Sequence, residues 1–348
     1  MTSSSDSRDP IAPGGGLPCV LLAVRDMAAF LPETLRSLDA QTERAFRLVA
    51  VDDGSRDATG ALLAAHAAAQ PDRRPVTILR TGGVGLAAAR NRGLAACDGP
   101  VVMLLDGDDV LARDLLTRGR AILDARADVD LVYPLCDHVD ADGRPLGVRS
   151  PLPHGALTPE GLLVGSPIHT DSGVVVRRGA LRAAGAFDER LTGCVGLDAW
   201  HRVLRLRPGN AHCIAEPLVR YRRRAGQISG SAARMERNLM ALLDAREADG
   251  AGIPRGLRRR ALAAHRLYWA SLAYAEGDDR GARAYTAAAW AGDPLGSARS
   301  PYAWARAAIS LASLLPDPLH RGLRHAALRA RARRRSSRGA EKGSAPRR

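Results

Sequence analysis

Apolar residues in this chain come in short blocks separated by polar turns. The first block is Cys19-Val20-Leu21-Leu22-Ala23-Val24, a strand candidate over Leu17–Val24. Phe30, Leu31, Leu35 and Leu38 then recur at helical spacing, which predicts a helix from about Met27 to Asp39. Pro32 falls in its first turn, where it is tolerated. Further strands are expected at Phe46–Val51, Val76–Leu79, Val101–Leu105, Val129–Tyr133, Gly173–Val176 and Ile214–Tyr221. Helices are expected from about Gly60, at Leu86–Ala96, from about Ala112 to Ala125, and from about Leu197. Strands alternating with helices indicate an α/β domain. The Asp142-Gly143 signal marks Asp137–Gly147 as a hairpin or loop. Residues 149–169 carry four prolines and read as loop.

From about Ala232 the texture changes to an Ala/Leu/Arg helical pattern without strand signals. Leu267–Ala275 and Ala282–Ala291 read as one helical hairpin of the tetratricopeptide type. Pro301–Leu315 is amphipathic and too short to span a bilayer; it packs on the helical region or lies on a membrane surface. Met1–Gly16 is a Ser/Asp/Gly/Pro leader without a signal peptide's apolar segment, and is expected to be disordered.

Composition narrows the picture. The 348 residues suffice for one large α/β domain plus an appendage, and 46% hydrophobic with 4% aromatic residues means a core of Ala, Leu and Val. The net charge of +14 invites a nucleic-acid reading, but Arg321–Arg348 alone carries 11 Lys/Arg against one acid. The excess is thus mostly in the tail, a solvated or electrostatic anchoring appendage. The globular part is near balance, and no nucleic-acid partner is expected. Cys19, Cys97, Cys136, Cys194 and Cys213 are scattered and lack CxxC spacing. They argue for a reducing compartment and against a zinc site or a disulfide framework.

The candidate chemistry sits at strand ends. Val101–Leu105 runs into Asp106-Gly107-Asp108-Asp109. Ligands bind at the C-terminal ends of strands in open α/β sheets. Three such close carboxylates repel one another unless a cation or a donor-rich ligand joins them. Oxygen donors suit Mg²⁺ or Mn²⁺ carrying phosphates. Read alone, the tetrapeptide serves equally as a solvated acidic turn. Phe46–Val51 likewise ends in Asp52-Asp53-Gly54-Ser55-Arg56-Asp57-Ala58-Thr59. Its acids suit a nucleotide's base N–H or ribose hydroxyl; the alternative is a strand–turn–helix junction capped by Asp57 or Thr59. Thr81–Gly85 is a Gly-rich loop before a helix, but no Gly-Lys-Ser/Thr follows. Arg90, Asn91 and Arg92 are placed on the polar side of the next helix. No GxGxxG follows the first strand, which disfavours a dehydrogenase.

Taken in order, four segments resemble family 2 glycosyltransferases of the GT-A fold over roughly residues 17–230. Val51–Thr59 resembles the VDDGSxDxT signature. Gly85–Asp109, with Ala89-Arg90-Asn91-Arg92-Gly93-Leu94 and Leu104–Asp109, resembles the ARNxGL…FLDxDD block. Arg177–Arg190 resembles RRxxLxxxGGFDE. Tyr221-Arg222 with Gly226-Gln227-Ile228-Ser229 resembles YRxHxGxxS.

The resemblance implies a nucleotide-diphospho-sugar transferase fold, a Rossmann-like mixed sheet flanked by helices, with a C-terminal helical region. The implied organisation is a leader at 1–16, the transferase domain at 17–230, helices at 231–320 and a basic tail at 321–348. It implies transfer of a sugar from a nucleotide-diphosphate donor to a glycan, lipid or small-molecule hydroxyl, with inversion. Asp53, with Asp52 beside it, contacts the nucleotide base; Arg90 faces the diphosphate. Asp106 and Asp108 form the DxD pair, Asp108 on a divalent cation (Mn or Mg) and Asp106 on the metal side, ribose or sugar, with Asp109 supporting them.

Two departures bear on the chemistry. Where the family carries an ED-W-D-x-W-x-R motif, this chain has Gly193–Arg202. If Trp200 and Arg202 keep register, the base position falls on Gly196 and the preceding acid on Val195; if the register slips by two, Asp198 is the base. Asp198 is the sole carboxylate between Arg190 and Asn210 and is the expected base; as a bare helix-start acid it complements the dipole. Arg224 stands where the family often has a metal-binding His; an Arg cannot ligate metal but can neutralise a diphosphate. The alternative function is a nucleotide-sugar-binding scaffold that has lost catalysis. The expected location is cytoplasmic, with the basic tail as a peripheral contact at the inner membrane face.

Overall fold

A computed structural model describes residues 16–70, 74–153, 155–250 and 253–299, with isolated positions from 303 to 311. The leader up to residue 15, most of 301–315 and the tail at 321–348 lie outside the described residues. The chain divides into two compact units. The first holds the described residues up to Leu162 together with Ser166–Arg223; the second holds Leu163–Gly165 and the residues from Arg224 onward.

The first unit is built on nine strands: β1 (Cys19–Val24), β2 (Arg47–Asp52), β3 (Val76–Arg80), β4 (Val101–Asp106), β5 (Val110–Leu111), β6 (Leu131–Val139), β7 (Pro145–Arg149), β8 (Val175–Arg177) and β9 (Ala211–Arg222). They form one mixed sheet in the order β3-β2-β1-β4-β8-β6-β9-β5, with β7 paired to β6. The chain thus has the GT-A type fold, an α/β architecture with a curled mixed sheet flanked by helices. Strands β3, β2, β1 and β4 are mutually parallel, and β8 joins β4 antiparallel. Apolar β1 and the apolar run Val101–Leu105 of β4 are buried on both faces, as central parallel strands must be. The register sets Asp52 opposite Val24 and Asp106 opposite Ala23. The ends of β2 and β4 therefore share one edge of the sheet, two strand spacings or roughly 10 Å apart.

Helices α1 (Leu31–Asp39), α2 (Thr59–Ala68), α3 (Leu86–Ala96), α4 (Leu115–Ala125), α5 (Pro159–Gly165), α6 (Arg178–Ala183) and α7 (Val195–Leu204) connect the strands. Helix α1 starts later than its apolar spacing predicts, because residues 27–30 form a turn held from outside. Thr59 Oγ1 accepts from the Met27 N–H at 2.8 Å and Asp57 Oδ2 from the Ala28 N–H at 2.9 Å. Both acceptors belong to the segment after β2, so that segment clamps the β1–α1 turn. Strand β5 has only two residues, too few to carry a periodic signal. Strands β6 and β9 run longer than predicted, β9 carrying irregular register near Pro134 and Leu135 of its partner. Pro145–Arg149 returns antiparallel to β6, making the expected hairpin; Gly143 supplies the positive φ its turn needs.

One expectation fails. Cys19 and Cys97 are joined as a disulfide, with Cα atoms 5.9 Å apart. Cys19 begins β1 and Cys97 follows α3. These residues are 78 apart in sequence, and the crossover folding α3 back along β1 brings them together. Sequence spacing alone cannot show such a pairing.

The second unit is helical: α8 (Ala232–Ala248), α9 (Arg255–Glu276), α10 (Asp279–Gly292) and α11 (Pro294–Arg299). Gly277 closes α9 with φ 90°, and Asp278 caps α10 by accepting from the Gly281 N–H at 2.8 Å. The two helices form the hairpin that the small-residue pattern predicts, packed around Ala263, Leu267 and Ala289. Among the described residues no helix is long and apolar enough to cross a membrane.

Gly93 shows how closely α3 seats on the sheet. A Cβ there would lie 2.2 Å from Leu21 Cδ1 and 2.9 Å from Val51 Cγ2. Both neighbours are fully buried and cannot yield. Gly93→Val is expected to lower stability by about 3 kcal/mol, the upper range for overpacking, read as a lower urea midpoint at unchanged slope.

Candidate active site

The site begins with a helix residue on the wrong side. Helix α3 follows Gly85, whose φ of 94° lets the loop turn in. The helix then buries Arg90, which is 2% exposed and not on a solvated face. A buried guanidinium needs carboxylates, and two supply them. Arg90 Nη2 donates to Asp106 Oδ1 at 2.8 Å and Nη1 to Asp171 Oδ2 at 2.6 Å. Burial alone would lower the pKa of Arg90, but Asp171 and Asp106 more than offset it and raise it. The ring of Phe187 lies under the guanidinium at 5.5 Å. Engaged in this way, Arg90 orients two acids; the resemblance alone had assigned it to a diphosphate.

Asp106 ends β4, and its side chain keeps 31% exposure. Its carboxyl is raised to about 6, mainly by burial, opposed by Arg90 and reinforced by Asp171 and Asp108. Asp108 is 5% exposed. Asp109 is fully buried, and burial followed by Asp108 and Asp106 raises it well above the ordinary carboxylate range. Asp109 is held by the Thr170 hydroxyl at 2.8 Å and the Arg222 N–H at 2.9 Å. Arg222 Nε also donates to the Asp108 carbonyl at 2.9 Å, and its Nη2 reaches Glu33. The Tyr221-Arg222 element therefore fixes the acid turn. The Asp106 N–H donates to Ser172 Oγ at 3.0 Å. Mutual repulsion among oxygen donors at one strand end is the environment a hard divalent cation relieves, so Asp106 and Asp108 fit Mg²⁺ or Mn²⁺.

Asp52 and Asp53 end β2. Asp53 accepts from Thr81 Oγ1 at 2.5 Å and from the N–H groups of Val84 and Gly85 at 2.7 and 2.9 Å. Burial pushes its carboxyl up, but these three donors and Arg25 hold it below the usual value. Asp53 thus ties the Gly-rich loop to β2. Asp52 is fully buried, accepting from the Ser55 N–H at 2.9 Å and pairing with Arg80. Asn91 bonds Phe187 in both directions and reaches Glu189 at 2.8 Å, binding the second motif segment to the third.

Asp198 is 0% exposed. Arg202 Nε and Nη2 grip its Oδ2 at 3.0 and 2.6 Å, and the same guanidinium reaches the carbonyls of Ala184 and Ala186. The pair ties α7 to the chain after α6, which is a positioning task. Arg224 follows β9 by two residues and opens the second unit.

Asp171 is the acid that sequence reading missed, because it falls between the stretch 149–169 read as loop and the strand expected from Gly173, and its partners are distant in sequence. Its side chain is 19% exposed. Besides Arg90, it accepts from Trp200 Nε1 at 2.9 Å through Oδ1. A Cβ on Gly196 would lie 1.7 Å from Asp171 Oδ1 and 2.2 Å from its Cγ. The Asp171 carboxylate therefore fills the space where a side chain at residue 196 would start. The signal available in the sequence was the polar run His169-Thr170-Asp171-Ser172 directly before an apolar strand.

Residues 19–184 match the sequence profile of Glycosyl transferase family 2. The chain is similar to the O-antigen biosynthesis protein RfbC of Myxococcus xanthus, with 31% identity over 195 residues, 56% of this chain. It spans 15% of the length of that relative. The fold is shared with the mannosyltransferase PcManGT of Pyrobaculum calidifontis, solved with GDP-Man and Mn²⁺ (TM-score 0.54, 20% identity, 87% of this chain and 81% of that one). It is shared also with S. aureus TarS 1-349 in complex with UDP (TM-score 0.50, 16% identity, 87% and 82%).

Because Arg90 and Trp200 pin Asp171, it cannot swing away from a new Cβ. Gly196→Ala is expected to cost about 1–3 kcal/mol in the wild-type background and little in an Asp171→Gly background. Thermal unfolding of the four proteins measures this coupling; additive shifts would contradict the packing.

Proposed function

The chain carries a family 2 glycosyltransferase domain over residues 19–184, and from that premise we propose that it moves a sugar from a nucleotide-diphosphate donor to an acceptor hydroxyl with inversion. The observation that supports this best is the pair of partly exposed carboxylates, Asp106 and Asp171, held on opposite arms of buried Arg90 at the end of β4. The relative named for O-antigen biosynthesis makes a polysaccharide or lipid-linked acceptor the preferred class. Neighbours of the same fold are bound to UDP and to GDP-Man. Asp53 and the loop 81–85 form the nucleotide side in this reading, and Asp106 with Asp108 the diphosphate side. A divalent cation held there would neutralise charge on the leaving diphosphate.

Inversion needs a group that removes the acceptor proton as oxygen attacks the anomeric carbon, since a hydroxyl is a poor nucleophile. We assign that proton to Asp171 rather than to Asp198. Asp171 keeps solvent access, while Trp200 and Arg90 fix its orientation through one hydrogen bond per oxygen. Each oxygen retains a second lone pair for the hydroxyl. Asp198 has neither access nor freedom. The register that keeps Trp200 and Arg202 in their motif positions puts the base at residue 196, and Asp171 occupies the space beside that Cα. The missing carboxylate of the motif is in this way replaced from a different strand end.

Two experiments test the reading. Thermal shifts with UDP, GDP and dTDP, each with and without Mn²⁺, identify the donor class, because a ligand bound to the folded state raises its melting temperature; no shift with any of them contradicts the reading. Release of nucleotide diphosphate from the matching sugar donor then measures turnover. Asp171→Asn is expected to slow it about 10²–10⁴-fold with nucleotide binding kept. Asp198→Asn is expected to lower stability by about 3–5 kcal/mol, as loss of one partner of a buried pair does, before it lowers turnover per folded molecule. A fully active Asp171→Asn protein would favour the non-catalytic scaffold or another base.

A further inference from the structure

A second cluster of metal-ligating side chains lies beside the acid turn and takes no part in the reaction proposed above. Cys136 and His138 alternate on β6, so both side chains leave the same face of the strand. His169 comes from the segment before β8. One donor atom from each of the three lies within 4.8 Å of the others. His138 Nε2 and His169 Nδ1 are 3.0 Å apart. Two imidazole nitrogens on one tetrahedral zinc ion sit about 3.3 Å apart, and a thiolate sulfur about 3.6 Å from each, given the usual bond lengths. The nitrogen pair already has nearly that bite, and the sulfur needs a shift of about 1 Å.

We propose that Cys136, His138 and His169 form a three-ligand site for a borderline-soft divalent cation, with zinc as the natural occupant. One sulfur and two imidazole nitrogens are the donors that select zinc over Mg²⁺ or Mn²⁺, which go to the oxygen-rich Asp106 and Asp108. Tyr221 packs its ring edge against His138 at 5.0 Å and steadies its plane. His138 is buried, whereas His169 is exposed and gives an ion an entry path.

The surrounding charges are mixed. Asp109 and Asp137 act on the Cys136 sulfur, while Arg223 faces both imidazoles. Burial, chiefly, pushes the Cys136 thiol up to about 12 and holds the buried His138 down to about 4. Binding breaks the S–H bond and releases one proton; Asp137 is itself paired with Arg149 at 2.6 and 2.8 Å, so the new thiolate is the charge that faces the metal against Arg223. The proton shared between the two ring nitrogens moves to an outer nitrogen. Three protein ligands leave the fourth position to water.

The site has a built-in route to the acids. His169 is followed at once by Thr170, whose hydroxyl holds Asp109, and by Ser172, whose hydroxyl accepts from the Asp106 N–H. A metal that ties His169 to β6 thereby fixes the segment that positions both carboxylates.

Cobalt substitution tests this without relying on turnover, so its failure is separate from failure of the transferase reading. Co²⁺ bound through a thiolate gives an intense near-ultraviolet charge-transfer band that carboxylate coordination does not. The full chain is titrated with Co²⁺ and then with Zn²⁺. One equivalent should develop the band, and zinc should abolish it. The band should vanish in Cys136→Ser and persist in Cys213→Ser. In His169→Ala, an exposed position where folding is not at risk, the Co²⁺ dissociation constant should rise at least about tenfold. No band in the wild type, a band surviving Cys136→Ser, or unchanged affinity in His169→Ala would overturn the site.

Discussion

The rest of the site depends on one buried cation. Arg90 is anchored on α3 and cannot reach water, so the chain must bring carboxylates to it. Asp106 comes from the end of β4 and Asp171 from the segment before β8. Removing one partner of such a buried pair commonly costs about 3–5 kcal/mol, so the three elements are bound to one arrangement. Trp200 extends the network to α7 through its bond to Asp171. The consequence for chemistry is pre-organisation: two acids are fixed in mutual position before any ligand arrives, so little of a ligand's binding energy goes into assembling them.

Around this centre most motif residues act as braces. Asp53 holds the Gly-rich loop, Asn91 holds Phe187 and Glu189, Arg222 holds the turn at Asp108 and Asp109, and Asp198 holds Arg202. The first three braces join segments far apart in sequence, and the last lies within α7. A polar residue that satisfies several buried backbone groups is more constrained than one meeting a single ligand, because each lost partner leaves an unsatisfied group behind. What remains with solvent access at the acid cluster is Asp106 and Asp171.

The α/β class, the strands β1 to β4, the helix α3 and the acid-bearing strand ends were legible because parallel strands buried on both faces read as unbroken apolar runs. The register, which sets Asp52 opposite Val24 and Asp106 opposite Ala23, came from the structure alone. Other features were hidden for identifiable reasons. Arg90 was placed on a solvated face because periodicity assigns charge outward, and only its tertiary partners reverse that. The two-residue β5 carries no period. The Cys19–Cys97 link depends on a crossover that brings distant residues together. Asp171 sits in the short polar run between a stretch read as loop and a strand, where pattern reading assigns no element.

In the reading proposed above, Asp171 and Gly196 illustrate how a motif can be absent while its chemistry is supplied from elsewhere. A reaction requires a carboxylate at a point in space; a motif records only which chain position usually delivers it. Here residues 25 apart in sequence compete for one volume, and a separation of 1.7 Å between a Cβ at 196 and Asp171 Oδ1 leaves room for one of them. A side chain at 196 and Asp171 in its observed position therefore exclude one another. The same segment carries Thr170 and Ser172 against Asp109 and Asp106, so whatever moves Asp171 also moves the acids it must face. Placing the proton acceptor there links its geometry to the diphosphate side directly, a link that a side chain on α7 would have to make through Trp200.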